Sequence, residues 1–153
     1  MQLKLLLPSD ALWQETIRYA RSGPWKAGHA LALQMENGAF EEWERVLAAV
    51  EGQEICGYCT VAKTDCIPGL PYTPYIGFVF VDEKHRGRRL SQRMIDFAAE
   101  YVKSIGFSSV YLISDHVGLY EKYGFYVIDR QRAPWGADES IFCRQLNVQE
   151  NPD

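Results

Sequence analysis

The stretch that decides the fold is "FVFVDEKHRGRRLSQRMIDFAAEYVKSIGF", residues 78–107. It opens with an apolar, aromatic and β-branched run of the kind that forms a buried strand. From Leu90 to Ile105 the apolar residues recur at helical spacing, and Gly106 supplies a helix stop. Between the two lies the basic cluster "KHRGRR", residues 84–89. The segment therefore predicts a strand, a short basic turn and a long helix.

The basic turn has the properties of an anion site. The first N–H groups of a helix have no partner within the helix and lie at the positive end of its dipole. Gly87 allows a ligand close to the backbone, and Arg86, Arg88 and Arg89 carry guanidinium groups suited to phosphate oxygens. A solvated helix start without a ligand is the alternative. One compact polyphosphate suits the turn better than a nucleic-acid backbone does.

Composition limits the class of protein. The chain has 153 residues, of which 47% are hydrophobic and 24% charged, as in an ordinary soluble domain. We expect one domain over residues 1–146, followed by a polar tail at 147–153. In the start "MQLKLLLPSD" the apolar stretch is too short for a signal peptide, and a proline interrupts it. No apolar run in the sequence approaches the length of a membrane-spanning helix. We therefore expect a cytoplasmic protein with no membrane contact. The net charge of −4 argues against nucleic acid as a partner.

The four cysteines predict neither a disulfide framework nor a metal site. Cys56 and Cys59 spell C-x-x-C, but the surrounding run "EICGYCTVA" is typical of a strand, where residues three apart point to opposite faces. A redox pair would stand at the start of a helix instead. We expect small buried side chains and no bound metal.

The order of elements predicts the fold class. The periodicities indicate a strand, two helices, three strands, the long helix, a strand, a short helix over "VGLYEKY" and two closing strands. The second and third strands lie within "ERVLAAVEGQEICGYCTVAKTD", residues 44–65, and are expected to form a hairpin at "EGQ". Such an order is typical of an α+β fold with a mixed sheet.

Two motifs together resemble those of one family. The segment 78–107 is similar to the acyl-CoA-binding motif of the GNAT superfamily of acyl-CoA-dependent N-acyltransferases, with Val81 ending the strand and Arg86-Gly87 opening the turn. "GLYEKYGF", residues 118–125, resembles the motif that follows the next strand. The resemblance implies a three-layer α/β/α fold with a twisted, mostly antiparallel sheet of six to seven strands and about four helices.

The resemblance also implies where acetyl-CoA binds. In the family the pantetheine arm pairs with the splayed edge of the strand, and helix amides hold the diphosphate. Arg89 and Ser91 occupy positions where the family usually has glycine or another small residue. The residues that this places at the cofactor are Val79, Phe80, Val81, Arg86, Gly87, Arg88, Arg89, Leu90 and Ser91.

The resemblance implies direct attack of an amine on the thioester in a ternary complex. Tyr120 matches the family tyrosine that donates to the departing sulfur, although it could also be a packed helix tyrosine. His116, one helical turn earlier, and Asp115 are candidates for the base; the alternatives are a loop hydrogen bond, a helix cap, or ordered water as the base. Trp25 and Trp135 are expected in the acceptor pocket.

The predicted function is an N-acetyltransferase acting on a primary amine of a small molecule or peptide. A non-catalytic acyl-CoA sensor or interaction module is the alternative, since the strand carries no evident carboxylate base. The sequence leaves the acceptor open, and a homodimer is possible.

Overall fold

The computed structural model describes residues 1–146, so the predicted tail at 147–153 lies outside the described residues. The order of strands and helices agrees with the one predicted. The elements are β1 (Gln2–Leu6), α1 (Ala11–Ser22), α2 (Lys26–Glu36), β2 (Arg45–Glu51), β3 (Glu54–Ala62), β4 (Tyr75–Val81), α3 (Leu90–Ser104), β5 (Ser109–Ser114), β6 (Tyr126–Arg132) and β7 (Asp138–Gln145).

The seven strands form a mixed sheet in the order β1-β2-β3-β4-β5-β7-β6. The chain divides into two units, each with its own contacts. The first comprises Met1–Val61 and Phe78–Ala98, and the second comprises Ala62–Gly77 and the chain from Ala99 onward. The α+β fold is confirmed, whereas a single domain over 1–146 stays a prediction.

The first unit has helices on both faces of its strands. Side chains of α1 and α2 pack with one face of β1, β2 and β3 in an apolar cluster that includes Ile17, Leu31, Val46 and Tyr58. Gly57 faces the other way, where a Cβ would meet the carbonyl of Phe80 and the sulfur of Met94 on α3. Gly57 therefore lets β4 and α3 approach β3 closely. The buried apolar side chains of α1 and α2 are Trp13, Ile17, Ala20, Leu31, Ala32 and Met35.

The second unit is built on β5, β7 and β6, which pair antiparallel. The start of β4 adds a parallel contact, with Tyr75 opposite Tyr111. A small apolar cluster of Ile67, Ala133 and Ile141 lies beneath the segment that leads into β4. Both closing strands are thereby fixed to β5.

One predicted helix is shorter than expected and of the 3₁₀ type. The segment expected to form a helix over "VGLYEKY" is a 3₁₀ turn of four residues, Tyr120–Tyr123, so the described chain has three α-helices rather than four. Gly124 ends the turn with φ +91°, a conformation that glycine adopts without strain, and this leaves room for only one turn. None of the helices within residues 1–146 is long and apolar enough to cross a membrane.

Candidate functional site

The turn between β4 and α3 has an open backbone at its centre. Gly87 has φ +82°, and a Cβ built there meets nothing within 4 Å. Arg86, Gly87, Arg88 and Arg89 are all exposed, whereas Leu90, the first residue of α3, is buried at 3% exposure. The turn therefore exposes its backbone and three arginines while Leu90 anchors the start of the helix. Arg86 Nε donates to the Val81 carbonyl at 3.0 Å, and Arg88 lies 3.4 Å from Glu51 Oε1.

Arg89 has a backbone conformation that explains why glycine is usual at this position in the family that the sequence resembles. Its φ is +60°, in the left-handed region that side chains other than glycine rarely adopt. The arginine thus keeps the turn that a glycine would make, at a cost of about 1–2 kcal/mol. Its carbonyl accepts the helical hydrogen bond from the Arg93 N–H at 3.1 Å. The departure from the family pattern changes the side chain and leaves the glycine-like backbone in place.

A buried histidine joins this turn to the end of β2. His85 is 8% exposed, and its two ring nitrogens lie 2.7 Å from Asp82 Oδ1 and 2.7 Å from Glu51 Oε1. The hydrogen bonds that His85 donates to Asp82 and then to Glu51 raise the pKa of His85. Burial opposes the ionisation of Asp82, but the bonds from His85 hold its pKa below the ordinary value. Sequence reasoning missed His85 because its partner on β2 is 34 residues away.

The side chains of strand β4 become less buried along its length. Tyr75, Ile76 and Gly77 are buried, whereas the last four residues are only half-buried. Phe78, at the boundary, has φ +50°, which breaks the regular strand. The predicted pantetheine contacts Val79, Phe80 and Val81 all lie in the half-buried part.

Next to the turn is a cavity with aromatic walls, entirely within the first unit. It has a volume of about 420 Å³. Trp25 stacks on Phe80 with ring centroids 5.6 Å apart and on Tyr58 at 6.2 Å. Gly28 brings α2 close, since a Cβ there would overlap the Tyr58 hydroxyl. The lining residues are Tyr19, Gly23, Pro24, Trp25, Tyr58, Phe80, Asp82, Glu83, Lys84 and Arg86.

Tyr120 is packed among aromatic rings of the second unit. It is 7% exposed, and its ring lies 5.7 Å from that of Phe142 and 6.1 Å from that of His116. The His116 N–H donates to Ser114 Oγ at 3.0 Å, which fixes the loop before the turn. Leu119, not Asp115, occupies the N-cap position of the 3₁₀ turn, so a capping role of Asp115 is wrong.

Several titratable groups act on one another in the second unit. Burial raises the pKa of Glu139, the Asp115 carboxylate raises it further, and His116 opposes both. Burial likewise raises the pKa of Asp65 to about 7, with a smaller contribution from Glu139. Asp65 was missed by sequence reasoning because a polar residue after a strand is typical of any loop. Its near-neutral pKa makes it a further candidate for proton transfer.

Trp135, the other residue predicted at the acceptor, lies in the turn between β6 and β7. It is 60% exposed, and the Ala133 N–H donates to the Ala137 carbonyl at 2.8 Å to close the turn. Asp138, beyond the turn, lies 3.4 Å from Arg132. Trp25 and Trp135 thus belong to different units, one in a cavity wall and one in an exposed turn.

Comparison with known families identifies the class. Residues 10–125 match the model of the acetyltransferase (GNAT) family, which is well over half of the chain. The chain belongs to this family. No curated protein matches the sequence.

Solved structures of the same fold cover nearly the whole chain. An aminoglycoside 6'-acetyltransferase type Ii is 17% identical with a TM-score of 0.76, and 98% of this chain covers 100% of that one. An aminoglycoside 6'-N-acetyltransferase from Enterococcus faecium is 14% identical with a TM-score of 0.74 over 99% and 100% of the two chains. A GNAT family N-acetyltransferase from Escherichia coli, in complex with CoA, is 22% identical with a TM-score of 0.70 over 95% and 81%. At these identities the likeness establishes the fold.

Proposed function

We propose that the chain is an acetyl-CoA-dependent N-acetyltransferase that acts on a primary amine of a small molecule. The observation that carries the proposal is the Arg86-Gly87 turn, with an open backbone and a helix N-terminus behind it, in a chain of the GNAT family. The similar solved structures include aminoglycoside acetyltransferases, whose substrates are small-molecule amines. A peptide amine is the other acceptor class.

In this proposal the turn and the end of β4 hold the cofactor. Amides of the first turn of α3 donate to the diphosphate, and Arg86, Arg88 and Arg89 add charge, with Leu90 and Ser91 beginning the helix. The half-buried backbone of Val79–Val81 pairs with the pantetheine arm as an added strand would. Acetyl-CoA supplies the acetyl group as a thioester.

The chemistry needs one proton removed and one supplied. A primary amine is almost fully protonated at neutral pH, so a proton acceptor must act before attack on the thioester carbonyl. His116, Asp115 and the coupled carboxyls Asp65 and Glu139 are the candidates. When the tetrahedral intermediate collapses, the C–S bond breaks and Tyr120 donates a proton to the departing sulfur.

The acceptor is proposed to enter the aromatic cavity at Trp25. Stacked rings favour an apolar or cationic group. The charged residues of the lining balance, with Asp82 and Glu83 beside Lys84 and Arg86. Trp135, exposed in its turn of the second unit, stays a separate candidate for contact with the acceptor. A cationic amine with an apolar body is the expected substrate class.

The test is a screen of primary amines with acetyl-CoA, read by mass spectrometry for acetylated products and by release of free thiol. We expect turnover of at least one cationic amine, and an increase of KM for acetyl-CoA in Arg86→Ala. Arg130→Ala, which removes an exposed arginine from β6, is the matched control and should leave KM unchanged. Saturable acetyl-CoA binding without turnover of any amine would favour the sensor. Absence of acetyl-CoA binding would refute both functions.

A further inference from the structure

His85 is held by two carboxylates from separate elements. Asp82 Oδ1, at the end of β4, lies 2.7 Å from Nδ1, and Glu51 Oε1, at the end of β2, lies 2.7 Å from Nε2. Carboxylates only accept hydrogen bonds, so both contacts are hydrogen bonds only when both ring nitrogens carry hydrogen. The geometry is therefore that of the imidazolium cation.

The bridge determines the shape of the turn. Asp82 also accepts the His85 N–H at 3.2 Å and so caps the 3₁₀ turn Glu83–His85, which leads directly into Arg86. Arg88 reaches Glu51 Oε1 at 3.4 Å from the far side of Gly87. Glu51 thus contacts the turn both before and after the open glycine.

Other titratable groups face the bridge from neighbouring elements. Tyr19 on α1 donates to Asp82 Oδ2 at 3.2 Å, and burial followed by Asp82 raises the pKa of this tyrosine. On β3, burial raises the pKa of Cys56, with Asp82 and Glu51 adding to the rise. Both groups are therefore neutral near pH 7. The charged set around His85 is Asp82 and Glu51 against His85 and Arg88.

We infer that protonated His85 is a positioning residue that holds the acetyl-CoA diphosphate turn in its binding shape, so that cofactor affinity falls when His85 loses its proton. This rests on the proposed function. A neutral imidazole can donate to one carboxylate only, so the other contact becomes a repulsion between lone pairs. The set of four charges also changes from neutral to net negative beside a polyanion.

The direction of the pH effect follows from linkage. Both carboxylates raise the pKa of His85 above its ordinary value of 6.5, so the bridge is complete below that value and is lost as pH rises through the raised pKa. Bound diphosphate adds negative charge and raises the pKa again. A difference of one pKa unit between free and loaded protein corresponds to about tenfold in affinity.

The experiment is calorimetric titration with acetyl-CoA from pH 6.5 to 9. Wild-type affinity should fall about three- to tenfold more than that of His85→Gln, which has no titrating group. His29→Gln, which replaces an exposed histidine of the same unit, should follow the wild type. The ligand phosphate titrates near pH 6 in every variant and cancels in the comparison.

Glu51→Gln separates positioning from simple structural support. It removes the charge of Glu51 from His85 and from Arg88 while leaving every residue of the turn unchanged, so the pKa of His85 falls and the midpoint of the affinity profile should move to lower pH. NMR of the imidazole nitrogens reports the same titration directly, and with Glu51→Gln it decides the matter if His85→Gln does not fold. Parallel profiles for wild type and His85→Gln, or an unmoved midpoint in Glu51→Gln, would overturn the inference. Absence of binding at every pH would instead contradict the proposed function.

Discussion

At the scale of single residues, the two units contain different kinds of polar group. In the first unit His85 and Asp82 are matched by close partners of opposite charge. In the second unit burial is the main cause of the raised pKa of Asp65. The hydroxyl of the buried Tyr75 has no hydrogen-bond partner within the described residues. Paired groups of the first kind stabilise a shape, whereas groups shifted by burial are typical of sites of proton transfer.

Tyr120→Phe tests the proposed acid. The substitution keeps the ring packed against Phe142 and removes only the hydroxyl, so folding and acetyl-CoA affinity should stay near wild type. We expect kcat to fall about 100-fold because the sulfur then leaves without a donated proton. Tyr123→Phe, on the same turn, is the control and should retain the wild-type rate. An undiminished kcat in Tyr120→Phe would refute the acid role.

Asp65→Asn tests the half-buried carboxyl of Asp65 through stability. In the folded protein its pKa is about 7 against an ordinary 3.8, so the folded state holds a proton that the unfolded chain has lost. The wild type must therefore lose stability as pH rises from 4 to 8, and the neutral asparagine must not. In urea unfolding, the free energy of unfolding of the variant should rise relative to that of the wild type between about pH 4 and pH 8. Asp138→Asn, exposed at β7, should show no such gain, and a flat difference for Asp65→Asn would contradict the burial of its charge.

At the scale of elements, the strand–turn–helix from β4 to α3 was predictable almost to the residue. Apolar periodicity predicted α3 from Leu90 to Ile105, and the helix ends at Ser104. The short helix predicted over "VGLYEKY" ends at Gly124 as predicted, but it is a 3₁₀ helix of four residues, because periodicity over seven residues does not distinguish an α-helix from a 3₁₀ helix. The type of α3 was predictable because its apolar pattern repeats over several turns.

A pair of variants at Arg89 tests the strained backbone of the turn. Arg89→Gly and Arg89→Ala both remove the guanidinium, but only alanine keeps a Cβ at φ +60°. The glycine variant should be the more stable of the two by about 1 kcal/mol, as measured by thermal unfolding. This order of stabilities is the reverse of the one expected inside a helix, where alanine is favoured over glycine. Greater stability of the alanine variant would show that Arg89 does not adopt the left-handed conformation.

At the scale of the whole molecule, the sequence was sufficient to predict the family and the order of the strands along the chain. It was not sufficient for contacts between distant elements, such as His85 with Glu51 or the stacking of Trp25 on Phe80, because no local pattern specifies a partner far along the chain. The turn is a different case. A helix N-terminus, a glycine and several arginines are adjacent in sequence, so local reasoning predicts an anion site there, and this site stays a prediction.

The most direct measurement is the calorimetric Kd for acetyl-CoA in Gly87→Val beside Gly38→Val. Both glycines have positive φ, +82° and +65°, and neither has an atom within 4 Å of a Cβ, so valine imposes similar backbone strain at both. Gly38 lies just after α2, outside the turn between β4 and α3. If the open backbone at Gly87 binds the diphosphate, Gly87→Val should weaken binding at least about tenfold, a loss of about 1.4 kcal/mol, while Gly38→Val retains the wild-type Kd. Equal affinities in the two variants would contradict binding at this turn.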